Sequence, residues 1–384
     1  VGSIPTRPTI LNLQLPTDNK QQKNNIKRVI SMKKTLFFSI PLLVGVLALS
    51  GCSLPGTSPS GTGAAVMKSA DGGKTYAPKV TIDAKTTIAP ANILSFVFEA
   101  GNPKRITVGT RENGIFMSEN GGDTWKKMNF PPTKTYGLVA DWSRPERLYA
   151  AGEWEGRGKL YRSDDRGGKW DEVYAEPNTG TVVTALIQHP KNASTLYVGT
   201  SAGVIIRTTD GGLTWGNLPG AETAILSFAF DAGGETLYAL TSGKGLLRSK
   251  NGGDSFEAIP GAGSSRRSTT LSLPKVTSLA IDPSRSGTFY AGTEKGLFRS
   301  RDFGDAWEEL PVIESSKEFS VRAVAINPKN SNEIMYSSAL AIYKSIDGGT
   351  NWSVYQLKAN RAAGMIKYDS SDPNVIYLGL RTFN

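Results

Sequence analysis

Along most of this chain, apolar residues alternate with polar ones in short runs that are separated by clusters of Gly, Asn, Asp, Pro and Ser. Alternation with a period of two, bounded by turn residues, predicts short β-strands, and only the N-terminal part carries any other pattern. Two phrases recur within the alternation. One is a variant of Ser-x-Asp-x-Gly-x-Thr-Trp beginning at Ser69, Ser118, Ser163, Thr208, Ser249, Ser300 and Ser345, at steps of 41 to 51 residues. The other is an apolar strand ending near Asp-Pro, a polar turn and a strand of the type Leu-Tyr-Val-Gly-Thr, clear in residues 186–200, 279–293, 324–338 and 366–380. A period of this size gives four short strands per unit, which is the size of a β-propeller blade.

The order of the phrases predicts how the ring closes. The first box has no strand pair before it, and the last strand pair has no box after it. Placed side by side, the two ends complete one composite blade. The chain is therefore expected to be all-β, a seven-bladed β-propeller of four-stranded blades closed by pairing its N- and C-terminal strands, over residues 66–384. Closure of this kind removes free sheet edges. A six-bladed ring with unpaired ends is the alternative.

Each box is expected to turn the chain between the third and fourth strands of a blade. Its glycine suits a backbone position of positive φ. The Asp or Asn two residues before it (Asp71, Asn120, Asp165, Asp210, Asn251, Asp302, Asp347) accepts hydrogen bonds from turn amides. The closing aromatic is expected to bury its ring between sheets, with the tryptophan N–H groups finding polar partners. A device repeated in every blade reads as structural, since a catalytic group is needed once. The spacing also lacks the ligand set of a calcium loop, so neither metal nor cofactor is expected.

These motifs resemble the Asp-box (BNR) repeats of sialidases, xyloglucanases, sortilin-type receptors and photosystem II assembly-factor-like propellers. The resemblance covers residues 67–380 and is specific for fold. In length and single-ring design the chain is most similar to the assembly-factor-like propellers, many of them bacterial lipoproteins. That resemblance implies a non-enzymatic binding scaffold with its boxes away from the ligand.

The second signal lies upstream. Residues 1–31 are polar and precede the plausible start at Met32, so they are expected to lie outside the fold. Residues 32–51 combine Met32-Lys33-Lys34 with an apolar stretch, and Leu49-Ser50-Gly51-Cys52 resembles a bacterial lipobox. An apolar stretch this short suits a secretory signal better than a membrane span. Cys52, the chain's single cysteine, is the expected lipidation site. Residues 52–65 form a Ser/Gly/Pro/Thr linker that reaches at most about 45 Å. The expected address is the outer side of the bacterial cell membrane or the outer membrane, with the lipid as the membrane contact. Of the net charge of +10, residues 1–51 carry +6 and the remainder +4. That excess is too small to argue for nucleic-acid binding, and no RNA-binding motif accompanies it.

Strand order puts every box on one face and the blade-to-blade connections on the other, where propellers usually bind. Residues 152–159 (GEWEGRGK) form a longer loop than their counterparts and place Trp154 among Glu153, Glu155 and Arg157. Residues 262–275 carry Arg266 and Arg267. Lys134, Tyr136, Lys317, Phe319, Lys358 and Arg361 fall on the same face. An exposed Trp beside Arg residues can anchor a protein partner or a sugar ring. An envelope protein is the expected partner, a glycan the alternative, and the protein is expected to act as a monomer.

The chain is not expected to be an enzyme; the alternative is a carbohydrate-active propeller, either a glycan binder or a glycoside hydrolase of sialidase or xyloglucanase type. The chain has no Arg-Ile-Pro of sialidase type, since Arg105-Ile106-Thr107 departs from it, and Glu153 and Glu155 are too close on one loop to straddle a glycosidic bond. His189 occupies the strand-end position held by Asp282 and Asn327 in sister repeats, which predicts a structural role.

Overall fold

The computed structural model describes residues 63–260, 273–313 and 320–383. Seven antiparallel four-stranded sheets account for every strand described. Blades 1 to 6 run in chain order, with innermost strands Ile93–Glu99, Lys134–Ala140, Val183–Gln188, Ile225–Phe230, Val276–Ile281 and Val321–Asn327. Blade 7 is composite. Ala362–Tyr368 and Ile376–Arg381 supply its inner half, and Val66–Ser69 and Ala77–Pro78 its outer half. The register Val66↔Gly379 to Ser69↔Ile376 joins the two ends. Each innermost strand touches the next, and that of blade 7 returns to blade 1, so the ring is closed.

Second strands depart from simple alternation. Leu196–Thr200, Leu237–Thr241 and Phe289–Thr293 are buried at every position. A blade is covered on both faces by its neighbours, so a central strand has no polar side to offer. The Tyr that recurs in these strands explains part of the phrase. Tyr149, Tyr197 and Tyr377 send their hydroxyls to the carbonyls of Gly211, Gly252 and Gly121, each in the box of the following blade, at 3.0, 2.9 and 3.1 Å.

In the box of blade 7, Ser69 Oγ accepts the Gly73 amide at 2.8 Å and donates to Asp71 Oδ1 at 2.7 Å. Asp71 then accepts the Lys74 and Thr75 amides and the Thr75 hydroxyl. The other six boxes repeat the Ser/Thr–Gly and Ser/Thr–Asx bonds, and the seven second-position glycines sit at φ between 85° and 99°. In the boxes built on Asn the outer bond is reversed. Asn120 and Asn251 donate from Nδ2 to Thr124 and Ser255, whereas the hydroxyls of Thr75 and Thr214 donate to Asp71 and Asp210.

The box tryptophans follow the expectation only in part. Trp125 and Trp215 donate to the carbonyls of Lys79 and Val173 in the preceding blade, both at 2.9 Å. The indole N–H groups of Trp170, Trp307 and Trp352 have no partner among the described residues. Packing therefore outweighs the cost of a lost hydrogen bond at those three seams. Trp307 and Trp352 meet Phe289 and Tyr336 of their own blades edge-on, ring centroids 5.0 and 4.8 Å apart, and Trp170 meets Phe130 across the seam at 4.9 Å.

The box carboxylates make the fold acid-sensitive. Hydrogen bonds from the Thr214 hydroxyl and amide hold the Asp210 carboxyl well below the usual carboxylate range, and the Asn351 amide and side chain hold Asp347 at about 2. A depressed folded-state pKa contributes stability that is fully present above the unfolded value, about pH 4, and lost as pH falls through the folded value. Asp210→Asn keeps the turn, because Thr214 can reverse its hydrogen bond as Thr124 does. We expect this variant to lose less thermal stability than the wild type between pH 4 and pH 2, read as melting temperature against pH. Parallel curves would show that Asp210 contributes nothing to acid lability.

Candidate functional site

A common irregularity in the innermost strands builds the site. All seven carry a β-bulge at the same place, which sets one residue outside the ladder: Leu94, Tyr136, Thr184, Leu226, Thr277, Arg322 and Gly364. These residues ring the mouth of a central channel of about 530 Å³ on the connecting face. Bulges twist a strand and re-aim side chains. Two of the ring residues also lock neighbouring blades, for the hydroxyls of Thr184 and Thr277 donate to the carbonyls of Ile225 and Val321.

Beside the mouth lies a recess of about 280 Å³ between blades 6 and 7, lined by Ser320, Arg322, Leu340, Asn360, Arg361, Arg381 and Phe383 among others. The guanidinium carbons of Arg322 and Arg381 lie 4.4 and 4.6 Å from the centre of the Phe383 ring. Arg111 joins them by donating to the Thr382 carbonyl at 3.5 Å. Burial, then Arg111 and Arg322, push the Arg381 guanidinium below its ordinary range, and its Nε is buried without a partner. No Asp or Glu lines either the channel or the recess among the described residues. Arg111 has Glu112 within 4.0 Å, whereas Arg322 and Arg381 have no carboxylate partner among the described residues.

The candidates from the sequence fall into three groups. Tyr136 is in the bulge ring, half-buried. Residues 152–159 are not a loop: strands Leu148–Trp154 and Arg157–Ser163 run to the tip of a hairpin, pairing Trp154 with Arg157 across a two-residue turn. Glu155 and Gly156, at φ 53° and 74°, make that turn, a geometry that suits two-residue hairpins. Trp154 remains 39% exposed. Glu153 is tied to Lys134 at 2.8 Å and Glu155 to Lys159 at 3.2 Å. Arg361, by contrast, is turned into the fold and donates to the carbonyls of Ala64, Ala89, Pro90 and Ala91. Cys52, Arg266, Arg267, Lys317 and Phe319 lie outside the described residues.

His189 takes the turn-capping place of its sister residues. Its Nδ1 accepts the Lys191 and Asn192 amides at 3.0 and 3.1 Å, as Asp282 and Asn327 accept those of Ser284 and Lys329. Arg322, Arg381 and Phe383 were not singled out by sequence reasoning. A basic residue at a bulge position is the signal for Arg322; Phe383 carries none, since its ring matters only through the two arginines it meets.

Comparison with known proteins adds the following. Residues 160–173, which contain the third box, match the family model for the BNR-Asp box repeat. A xyloglucanase of Paenibacillus sp is 26% identical over 286 residues, covering 63% of this chain and 24% of that protein. The chain thus spans about a quarter of the length of that relative. Among solved structures, the GH74 xyloglucanase from Xanthomonas campestris superimposes with a TM-score of 0.61 at 17% identity, over 76% of this chain and 51% of that one. YCF48 bound to a D1 peptide does so with a TM-score of 0.59 at 16% identity, over 79% of this chain and 98% of that one. At these identities the structures speak for the fold alone. The xyloglucanase relative overturns the expectation that the chain is not an enzyme, because its sequence likeness is to a glycoside hydrolase and extends over most of the propeller. Glu153 and Glu155 sit on one hairpin, so they exclude only one carboxylate pair.

Proposed function

We propose that this seven-bladed Asp-box propeller recognises a polypeptide at the arginine-lined mouth of its channel, on the surface of a bacterial membrane to which Cys52 anchors it. One observation carries the reading: Arg322 and Arg381 face a recess without acidic residues among those described. Guanidinium groups left without carboxylates favour a ligand that brings its own, and Arg binds carboxylate with two parallel hydrogen bonds. Exposed Trp154 and half-buried Tyr136 on the same face supply the aromatic contact area that anchors polypeptides. Preformed β-strands carry these groups, so little ordering is needed on association. That a single propeller of nearly the same extent, YCF48, has a structure with a D1 peptide supports a peptide as ligand.

The second reading is glycoside hydrolysis, and the xyloglucanase relative favours it. One experiment separates the two. The full-length chain in host membranes is crosslinked and its partners identified, with Cys52→Ala as the unanchored control, while purified protein is incubated with xyloglucan and assayed for new reducing ends. On the polypeptide reading, a partner crosslinks at the arginine mouth and anchored protein partitions with membranes. Release of reducing ends without a crosslinked partner would replace the first reading by the second, and membrane retention of Cys52→Ala would remove the anchor.

A further inference from the structure

Lys367 breaks a sevenfold pattern. Three residues beyond the bulge, the innermost strands of blades 1 to 6 carry Val97, Val139, Ile187, Ala229, Ala280 and Ala325. Blade 7 carries Lys367, which lines the central channel. At about 3.3 Å of rise per residue it stands roughly 10 Å below the bulge ring, toward the opposite mouth. Water in the channel reaches its side chain, yet protein surrounds it closely enough that burial lowers the ammonium pKa, with no charged group opposing the shift. It makes no side-chain hydrogen bond or ion pair among the described residues.

The rest of the channel supplies no counter-charge. Its lining contains three cations, Arg322, Lys367 and Arg381, and no Asp or Glu among the described residues. The Ser278 hydroxyl, on another of its walls, is buried without a partner. Lys367 is exposed to the channel, and an ammonium there without a counter-charge among the described residues attracts anions from the channel water. A lining that is cationic at one mouth, cationic again below it and nowhere acidic concentrates anions, because walls of low dielectric focus the field. A volume of about 530 Å³ admits a small inorganic anion together with water. We infer that the central channel is a binding site for a small inorganic anion, held at Lys367. This site lies below the polypeptide face and does not depend on what binds there.

The test uses sulfate and bromide. Melting temperatures of the wild type and of Lys367→Met are compared as sulfate replaces the bulkier gluconate at fixed ionic strength. Sulfate also stabilises folded proteins by exclusion from their surfaces, a contribution common to both. The wild type should therefore gain more than the variant, and Lys367→Arg should keep the wild-type gain. In gluconate alone, Lys367→Met should melt no lower than the wild type, since the substitution removes an unbalanced charge. Equal sulfate responses, or a Lys367→Met protein less stable in gluconate, would overturn the proposal. Crystals of the wild type soaked in bromide should show an anomalous peak beside Lys367 Nζ, and a channel without one would overturn it independently of any variant.

Discussion

Replacing Arg322 and Arg381 together by glutamate is expected to weaken polypeptide binding by at least about a hundredfold. Hydrogen bonds to charged groups contribute about 1.5–3 kcal/mol each, and every 1.4 kcal/mol is a factor of ten in affinity. The two guanidiniums face a recess without acids, so the substitutions break no ion pair within the fold. They do remove two cation–π contacts to Phe383, each worth about 0.5–1 kcal/mol at an exposed site. Their effect on melting should thus be small and their effect on binding large. The measurement is fluorescence anisotropy with a labelled acidic peptide selected on the wild-type protein, at two salt concentrations. Wild-type affinity should fall with salt, as charge complementarity requires, and the variant should have lost most of that dependence. An unchanged affinity would move the binding site away from this mouth.

Much of the ring was legible because it is written seven times. The Ser–Asx–Gly turn, the strand pair before it and the unmatched ends together determined blade number and closure. A further periodic signal went unread. Lys68, Arg162, Arg207, Arg248, Arg299 and Lys344 each stand directly before a box, and Met117 is the one exception. Each of these cations donates to a carbonyl in the box of the following blade, as Arg207 does to Gly252 at 2.7 Å and Arg299 to Gly348 at 2.9 Å. Much of the basic excess is therefore spent inside the seams between blades.

The exception at Met117 coincides with Thr107 in place of the recurrent Tyr. The seam between blades 1 and 2 uses different chemistry. Glu99, nearly buried, accepts from Arg105 at 2.6 Å and from Arg166 of blade 2 at 3.2 Å. The site was harder to read than the frame. Arg322 lies in blade 6 and Arg381 in blade 7, and Phe383 follows the last strand, so their meeting is a product of packing between neighbouring blades. No local pattern marks three residues that far from one motif. Face assignment alone could place Arg361 at the rim, but it could not tell a side chain pointing outward from one turned into the fold.

Arg361 supplies the second large effect, and it is structural. Its Nη1 donates to the carbonyls of Pro90 and Ala91 at 3.0 and 2.6 Å, and its Nη2 to those of Ala64 and Ala89. Ala64 leads into the outer half of blade 7, residues 89–91 lead into blade 1, and Arg361 itself opens the inner half of blade 7. One guanidinium thus fastens three segments at the place where the ring closes, using the planar spread of donors that only Arg has. Ala64 and Ala91 are each 2% exposed, so water cannot readily replace what Arg361 gives them. Arg361→Ala should cost about 3 kcal/mol, the scale of hydrogen bonds from a charged group lost to buried acceptors. In a chain of this size that corresponds to a fall of roughly 6 °C in melting temperature. Arg361→Lys should recover only part of it, since one ammonium offers three donors to four carbonyls. Although Arg361 borders the recess, peptide affinity per folded molecule should fall far less in both variants than on replacing Arg322 and Arg381, because its guanidinium is engaged by the four carbonyls. If affinity falls that far instead while the melting temperature holds, Arg361 belongs to the binding face where its position in the sequence first placed it, and the ring is closed by strand pairing without this clamp.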